Sequence, residues 1–155
     1  MIEIDIPGQG TLRAAHVVFD YNGTIAVDGR IVEGAVQRIN ELAEQAEVHV
    51  LTADTYGSAA KECQRIKATL HTFPQAGAAA CKKEIVENLK GGVICLGNGF
   101  NDQDMFQVAD LAIAVLDGEG LYAGLLNSTD VLVRSCTEGL DLLLKPSHLR
   151  ATLRS

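Results

Sequence analysis

Short apolar runs separated by helix-length amphipathic segments are the feature that most limits how this chain can fold. The runs at 16–19, 48–51, 93–96 and 111–115 are almost continuously apolar, as strands covered on both faces are. The segment 34–46 between two of these runs carries apolar residues at helical spacing. Strands that alternate with helices of about ten residues form βαβ units and a parallel sheet with helices on both faces. We therefore predict an α/β fold, a three-layer Rossmann-like sandwich around a mainly parallel sheet.

Shorter signals place the remaining elements. Residues 2–6 alternate apolar and charged side chains ahead of a turn at 7–10, which predicts an N-terminal β-hairpin. A second hairpin is predicted where Asp28-Gly29 separates two short apolar segments, because Asp-Gly favours tight hairpin turns. Further helices are predicted at 56–67, 82–89 and 140–144, and further strands at 69–73 and 131–133.

Length and charge exclude several classes of protein. The 155 residues suit one domain, residues 1–155, with a single core. The net charge of −7 argues against binding to a nucleic-acid backbone, which needs clustered lysine and arginine. No stretch reaches the roughly 18 apolar residues of a membrane span, so we expect no membrane partner.

The N-terminus and the cysteines indicate a cytoplasmic protein. The first ten residues have neither a basic segment nor an apolar core and do not form a secretory signal. The four cysteines, Cys63, Cys81, Cys95 and Cys136, lack the spacing of a metal-binding or redox motif, so we expect reduced thiols. Cys95 lies within an apolar run and is predicted to be a small core residue.

Polar residues follow the predicted strands in a definite order. Asp20-Tyr21-Asn22-Gly23-Thr24 follows the first run, Thr52 follows the second, two lysines precede the third, and 97–102 (Gly-Asn-Gly-Phe-Asn-Asp) follows it. Each motif also has a plain structural interpretation, as a turn, a helix cap or a solvated helix face. Because sites in parallel sheets lie beyond the carboxyl ends of the strands, the whole set favours one functional site.

These motifs resemble those of the haloacid dehalogenase superfamily of phosphotransferases and phosphatases. In that family an apolar strand ends in Asp-x-Asp-Gly-Thr, and a later strand ends in Thr or Ser. A Lys follows, and the last motif reads Gly-Asp-Gly-x-x-Asp or Gly-Asn-Gly-x-x-Asp. The resemblance covers residues 14–150, and within the superfamily the chain is most similar to small soluble P-type-ATPase-like phosphatases. The segments 51–55 and 146–154 strengthen that similarity.

The resemblance implies a role for each motif residue around a bound Mg²⁺ ion. Asp20 would be the nucleophile, and the catalytic set would be Asp20, Asn22, Thr52 and Lys82. The phosphate would be held by Gly23, Thr24, Thr52, Ala53, Lys82 and Asn101. The metal would be bound by Asp20, the backbone carbonyl of Asn22, Asn98 and Asp102.

The neighbouring lysines are separated by helical geometry. Lys82 shares a helix face with the apolar side chains of Ile85 and Val86, whereas Lys83 lies one turn from Glu87, as a surface pair does. This spacing favours Lys82 over Lys83 for a site in the interior.

The implied chemistry is physically consistent. A carboxylate that attacks phosphorus forms an aspartyl phosphate and divides hydrolysis into two easier steps. An anion attacking an anionic phosphoryl group needs neutralising charge, which Mg²⁺ and a lysine provide.

Two positions depart from the family pattern. Asn22 stands where the phosphatases carry an Asp that protonates the leaving group and later activates water, and an amide does neither. Such acid–base help contributes about 10²–10⁴ in rate, so we expect slow hydrolysis. Asn98 stands where many members have Asp, so we also expect weak Mg²⁺ binding.

The chain has no room for the cap domain that many relatives insert, since only a short hairpin separates Thr24 from the next helix. An open site would take a phosphorylated small molecule or a phosphorylated macromolecule, or be covered by a neighbouring subunit. The N-terminal hairpin and residues 121–126 are candidates for contacts in a homo-oligomer, although an ordinary core helix at 121–126 is the simpler interpretation.

Three other classes of protein compete with the phosphatase. A non-catalytic phospho-binding or regulatory module of the same fold would keep the site and lose the reaction, but the nucleophile and its lysine partner argue against it. A response-regulator receiver domain would carry its acidic cluster at the first strand. A dinucleotide-binding domain would need Gly-x-Gly-x-x-Gly after the first strand, where the chain reads Asp-Tyr-Asn-Gly-Thr.

Overall fold

The computed structural model describes residues 1–53 and 57–155, and its strands lie in one large sheet and two hairpins. The strands are β1 (Ile2–Ile6), β2 (Gly10–Ala14), β3 (His16–Asp20), β4 (Ala26–Val27), β5 (Arg30–Ile31), β6 (Glu47–Thr52), β7 (Thr69–Thr72), β8 (Val93–Gly97), β9 (Leu111–Val115) and β10 (Val131–Val133). The large sheet has the order β10-β9-β8-β3-β6-β7, and all of its pairs are parallel. The chain adds strands on one side of β3 and then on the other, so the strand order reverses at β3, between β6 and β8.

Helices cover both faces of this sheet. They are α1 (Ala35–Leu42), α2 (Ser58–Cys63), α3 (Ala78–Asn88), α4 (Gln103–Val108), α5 (Cys136–Leu144) and α6 (Ser147–Leu153), with 3₁₀ turns at Phe100–Asp102 and Ala123–Ser128. Helices α1, α2, α5 and α6 contribute to one apolar layer, and α3 and α4 contribute to the other. The predicted three-layer α/β sandwich is confirmed.

The central strand explains why the apolar runs are continuous. Along β3, Val17 and Phe19 pack into the layer of α1 and α5, while Val18 packs into the layer of α3 and α4. All five residues of the strand are buried. Burial on both faces therefore replaces the alternation that a half-exposed strand shows.

The two predicted hairpins are present. The β1–β2 hairpin buries Ile2, Ile4 and Ile6, and Arg150 of α6 donates a hydrogen bond to the carbonyl of Asp5 at 2.8 Å. The β4–β5 turn places Asp28 and Gly29 at φ 52° and 79°. Positive φ at both central residues is what a tight hairpin requires and what Asp-Gly tolerates.

Several element boundaries differ from those predicted. The helix predicted at 34–46 ends at Leu42, and the helix predicted at 82–89 begins at Ala78. The helix predicted at 56–67 spans Ser58–Cys63 in the structure, and Tyr56 lies outside the described residues. Residues 121–126 overlap a 3₁₀ turn, in which Leu125 is buried and Leu126 is exposed.

The helix predicted at 140–144 begins at Cys136 because of a cap that was not predicted. The hydroxyl of Ser135 accepts a hydrogen bond from the backbone N–H of Glu138 at 3.2 Å, which is an N-cap interaction. The first turn of this helix was not predicted because it contains Gly139, and glycine disfavours helices. It packs against the sheet, where an added Cβ would lie 3.1 Å from Leu96.

All four cysteines, each in the described part of the chain, carry free thiols. Burial raises the pKa of Cys63 to about 11 and that of Cys136 to about 12. Cys95 is fully buried, as predicted. Within residues 1–53 and 57–155, the helices are too short or too polar to cross a bilayer.

Candidate active site

The carboxyl ends of β3, β6 and β8 surround a cavity of about 770 Å³, called here the strand-end cavity. Residues from every predicted motif line it: Asp20, Asn22, Thr52, Ala53, Lys82, Asn98, Gly99 and Asn101. Phe100 of the last motif lines it too, and residues from other segments complete the wall: Asp28, Ser58 and Gln75. The parallel sheet thus brings together motifs that are up to about 80 residues apart in the sequence.

Lys82 is the centre of the cavity floor. Its Nζ donates to Asp20 Oδ1 at 2.7 Å, to Asp102 Oδ1 at 2.7 Å and to the side-chain oxygen of Asn101 at 2.8 Å. Only 1% of Lys82 is exposed, because the buried face of α3 carries it under the strand ends. All three ammonium protons are used, so the nitrogen is held in one position.

Lys83 lies on the outer face of the same helix. Its Nζ is 3.7 Å from Glu87 Oε1, and both side chains are about half exposed. The structure therefore brings Lys82, and not Lys83, to the predicted nucleophile.

Asp102, a predicted metal ligand, accepts hydrogen bonds with both of its carboxylate oxygens. The residue is fully buried, and its Oδ2 accepts hydrogen bonds from the backbone N–H groups of Asn98 and Gly99, each at 3.0 Å. Its Oδ1 accepts from Lys82. With both oxygens engaged, Asp102 shapes the loop after β8 and fixes the lysine from behind the cavity.

Asp20 and Asn98 present oxygens that converge on one hydroxyl. Thr24 Oγ1 lies 3.2 Å from Asp20 Oδ2 and 3.1 Å from Asn98 Oδ1. The orientation of the Asn98 amide is fixed, since its Nδ2 donates to the carbonyl of Gly120 at 3.1 Å. Sequence reasoning missed Gly120, which is distant in the chain and contributes only its backbone.

The loop after β3 requires glycine at one position. Gly23 has φ 81°, in the left-handed region that other residues rarely adopt. A Cβ built on it would overlap the side-chain amide of Asn98. Gly23 therefore allows the two predicted motif loops to approach closely.

The other predicted residues occupy the rim and wall of the cavity. Asn22 is exposed and is one of the residues that line the cavity. Thr52, at the end of β6, is 2% exposed and lines the cavity together with Ala53. At the rim, the ring of Phe100 meets that of Tyr122 edge-on, with 5.2 Å between centroids; this aromatic pair was not predicted.

The charges on the cavity floor do not balance, because one ammonium lies between two buried carboxylates. Burial and the charge of Asp102 raise the pKa of Asp20 to about 7, although Lys82 and Thr24 act in the opposite direction. Burial lowers the pKa of Lys82, but Asp20 and Asp102 outweigh that effect and the net pKa is raised. Lys82 therefore stays protonated, and the two carboxylates together still carry one more negative charge than the lysine neutralises.

The donor set fits a hard divalent cation. Asp20 Oδ2 and Asn98 Oδ1 are oxygen atoms that face the same hydroxyl, and oxygen donors are what Mg²⁺ prefers. Few protein ligands also suit Mg²⁺, which usually keeps several waters. The missing positive charge is an independent reason to expect a cation here.

Comparison with solved structures defines the class of the fold. A protein of Streptomyces avermitilis assigned to the haloacid dehalogenase family hydrolases is 17% identical, with a TM-score of 0.70 over 86% of this chain and 87% of that one. The 3-deoxy-D-manno-octulosonate 8-phosphate phosphatase of Moraxella catarrhalis, in complex with magnesium, phosphate and its KDO ligand, is 11% identical, with a TM-score of 0.71 over 89% and 90%. The chain therefore has the haloacid dehalogenase fold, as the motif resemblance predicted.

A zinc-transporting P-type ATPase is also similar. It is 22% identical, with a TM-score of 0.59 over 79% of this chain and 20% of the ATPase. This fold is thus shared with one part of a much larger protein.

Two sequence relatives from Methanocaldococcus jannaschii are closer in identity. The uncharacterized protein MJ0073 is 40% identical over 68 residues, which are 44% of this chain and 73% of the relative. The uncharacterized protein MJ0072 is 51% identical over 39 residues, which are 25% of this chain and 89% of the relative. The chain belongs to the family of these two archaeal proteins. No family model matches the sequence.

Proposed function

We propose that this protein is a Mg²⁺-dependent phosphomonoester hydrolase that acts through an aspartyl phosphate at Asp20. The observation that carries the proposal is the contact of Lys82 Nζ with Asp20 and Asp102, each at 2.7 Å, on the floor of an open strand-end cavity. The solved structures that share the fold include phosphatases, which supports this reaction class.

Asp20 performs the covalent step. Its carboxylate oxygen attacks phosphorus, the ester bond to the leaving oxygen breaks, and the phosphoryl group is held on Asp20 until water releases it. Lys82 orients the carboxylate and neutralises charge on the phosphoryl oxygens. Thr52, which also lines the cavity, holds a phosphoryl oxygen.

A bound Mg²⁺ would supply positive charge that the nucleophile and phosphate share. Asp20 and Asn98 offer side-chain oxygens for it, and the backbone carbonyl of Asn22 offers another. Asp102 contributes through Lys82 and through the loop that presents Asn98.

Asn22 makes the reaction slow. It belongs to the cavity lining but cannot protonate a leaving group or activate water. Turnover then depends on leaving groups that depart without a proton and on water attacking the aspartyl phosphate unaided. The absent acid–base help is about 10²–10⁴ in rate, so the phosphoenzyme is long-lived.

The substrate reaches the cavity without a cap domain in this proposal. The only elements between Thr24 and α1 are the short strands β4 and β5, and the described residues between β6 and α3 form α2 and β7. A phosphorylated small molecule or a phosphate group on a macromolecule fits such a cavity. Phosphorylated sugar acids belong in the test panel, since a structural neighbour is a phosphatase of one.

The direct test is phosphate release from a panel of phosphomonoesters. We expect release to require Mg²⁺, to be abolished by Asp20→Asn, and to persist in Asp28→Asn, the matched change of an exposed carboxylate in the same cavity. Release that is independent of Mg²⁺ or unaffected by Asp20→Asn would contradict the proposal.

The second candidate function is a non-catalytic phospho-binding module, and Asn22 is the observation that favours it. The variant Asn22→Asp separates the two functions. In a phosphatase with an intact site it restores proton transfer and raises turnover of p-nitrophenyl phosphate, by at most about 10²–10⁴. The control Asn88→Asp, at the exposed end of α3, is expected to leave turnover unchanged.

The intact mass of each sample is checked first, because Asn22 precedes Gly and deamidation would mimic the substitution. If fresh Asn22→Asp and the unaltered protein both remain at the background rate, the binding module is the better account.

A further inference from the structure

A second cluster of polar side chains runs diagonally across the sheet, from His16 at the amino-terminal end of β3 to His71, which is level with Leu51 of β6. His16 on β3, His49 on β6 and His71 on β7 form a row across three neighbouring strands, called here the histidine row. Their ring nitrogens lie 3.1 Å apart at both junctions, His16 to His49 and His49 to His71. His16 is four residues before Asp20 in the same strand, or about 13 Å away at roughly 3.3 Å per residue. None of the three histidines lines the strand-end cavity.

The contact at one end of the row determines the donor and the acceptor in each hydrogen bond along it. His16 Nε2 lies 2.9 Å from the carbonyl oxygen of Lys90, which only accepts hydrogen bonds, so Nε2 carries the proton. In the neutral ring, the Nδ1 atom of His16 is then unprotonated and carries a lone pair. That lone pair points to His49 Nε2, and both rings are buried.

A carboxylate lies at the same junction. Glu47 Oε2 is 3.6 Å from His16 Nδ1, and the ligand atoms of His16, Glu47 and His49 all lie within 4.8 Å of one another. The side chain of Glu47 is 76% exposed, so the junction opens to solvent on that side. An ion has a path to two buried imidazoles.

We propose that His16, His49 and Glu47 form a second metal site, selective for zinc-class divalent ions and independent of the Mg²⁺ site. Zn–N bonds of about 2.0–2.1 Å at tetrahedral angles place two ligand nitrogens about 3.3 Å apart, close to the 3.1 Å observed between His16 Nδ1 and His49 Nε2. Two imidazoles favour Zn²⁺, Co²⁺ or Ni²⁺ over Mg²⁺, which prefers oxygen. Three protein ligands leave a position for water.

The partners of the two imidazoles support this assignment. Histidines that bind a metal almost always give their other ring nitrogen to a carbonyl, a carboxylate or water, which fixes the ring. His16 gives Nε2–H to the carbonyl of Lys90, and His49 Nδ1 faces His71 Nε2. His71 is thus a positioning residue that holds the second imidazole.

Metal binding moves protons along the row without changing its net charge. The proton on His49 Nε2 leaves to solvent as the metal binds there. His49 Nδ1 takes the proton of His71 Nε2, and His71 Nδ1 takes one from solvent. Each ring remains neutral, as a metal-bound imidazole requires.

Zinc titration of the metal-free protein in excess Mg²⁺, followed by calorimetry, tests the site, because Mg²⁺ occupies the oxygen ligands of the strand-end cavity. We expect one Zn²⁺ per chain. Glu47→Gln and His16→Gln each weaken binding by at least about tenfold. His148→Gln, which changes the exposed histidine outside the row, and Asp20→Asn leave binding unchanged.

Co²⁺ gives a second readout, because its visible absorption is weak in the six-coordinate aqueous ion and intense in a four-coordinate site. We expect intense bands in the unaltered protein and in His148→Gln, and their loss in Glu47→Gln. Since Glu47 is exposed, that variant keeps the fold and decides the result even if a buried histidine variant unfolds. Three results would overturn the proposal: no zinc binding in excess Mg²⁺, equal binding by Glu47→Gln, or loss of binding in Asp20→Asn. The test does not depend on phosphatase activity.

Discussion

At the scale of single residues, the proposed chemistry depends on how one ammonium is shared between two buried carboxylates. Lys82 contacts Asp20 and Asp102 at equal distance, so the floor of the cavity is short of one positive charge. A protonated Asp20 relieves that shortage when no cation is bound. The same feature that prepares the site for a cation therefore reduces the stability of the metal-free protein.

We predict that Asp20→Asn stabilises the metal-free protein at pH 8. The pKa of Asp20 is raised from 3.8 to about 7 in the folded state, so the stability that its protonation contributes is present below pH 4 and is lost as the pH rises through 7. An amide removes this dependence, and the gain at pH 8 is at most about 4 kcal/mol at 1.36 kcal/mol per pKa unit.

Urea denaturation at pH 4 and pH 8 without metal measures this effect. The free energies of unfolding of the variant and the unaltered protein are expected to differ at pH 8 and to converge at pH 4. Asp28→Asn, an exposed control, is expected to show no such divergence. A variant that is less stable than the unaltered protein at pH 8 would show that the carboxylate is not under strain.

At the scale of elements, helix α3 decides which of two adjacent lysines enters the site. The helix places Lys82 on its buried face with Val86, and Lys83 on its exposed face. A helix that was shifted by one residue would exchange the two. The burial of α3 against the sheet therefore determines the position of the ammonium as strictly as the hydrogen bonds do.

Substitution of these two lysines by methionine tests the register of α3. Lys82→Met leaves two buried carboxylates without their cation and is expected to cost about 3–5 kcal/mol at pH 8, as broken buried pairs do, and to abolish phosphate release. Lys83→Met removes a surface pair and is expected to cost at most about 1 kcal/mol with activity unchanged. Thermal and urea unfolding measure the costs, and equal losses for the two variants would refute the assignment.

The elements differ in how well the sequence predicts them. The inner strands β3, β6, β8 and β9 were predicted closely because burial on both faces makes their apolar runs continuous. Helices α4 and α6 were not predicted, since they have only six and seven residues and their apolar patterns are too short to be recognised as helical.

The predicted residues that line the cavity follow from strand ends and motif order, whereas the burial of Asp102 and the role of the Gly120 carbonyl depend on loop geometry. The histidine row needed strand register, because its members lie on three different strands.

At the scale of the whole molecule, the two ends of the chain pack together. Helix α6 lies against β1, Arg150 donates to the carbonyl of Asp5, and Gln9 donates to the carbonyl of Leu153. Leu149 is fully buried in the same apolar layer as Ile4. The N-terminal hairpin is therefore held by the last helix and forms part of the core.

We predict that Leu149→Ala destabilises the protein by about 2–5 kcal/mol, the usual cost of a cavity in a core. The control Leu126→Ala changes a leucine that is 44% exposed and is expected to cost about 0.5 kcal/mol or less. Urea denaturation compares the two. A small effect of Leu149→Ala would mean that α6 is detached from the hairpin.

Mapping the phosphoryl group on the protein tests directly whether Asp20 is the nucleophile. The protein is incubated with acetyl phosphate and Mg²⁺, stopped in acid, digested, and mapped by mass spectrometry. We expect one phosphoryl group on the peptide that contains Asp20, and we expect it to persist because Asn22 does not activate water. It is expected to be absent in Asp20→Asn and present in Asp28→Asn. A phosphoryl group on another residue, or none on the unaltered protein, would contradict the assignment of Asp20 as the nucleophile.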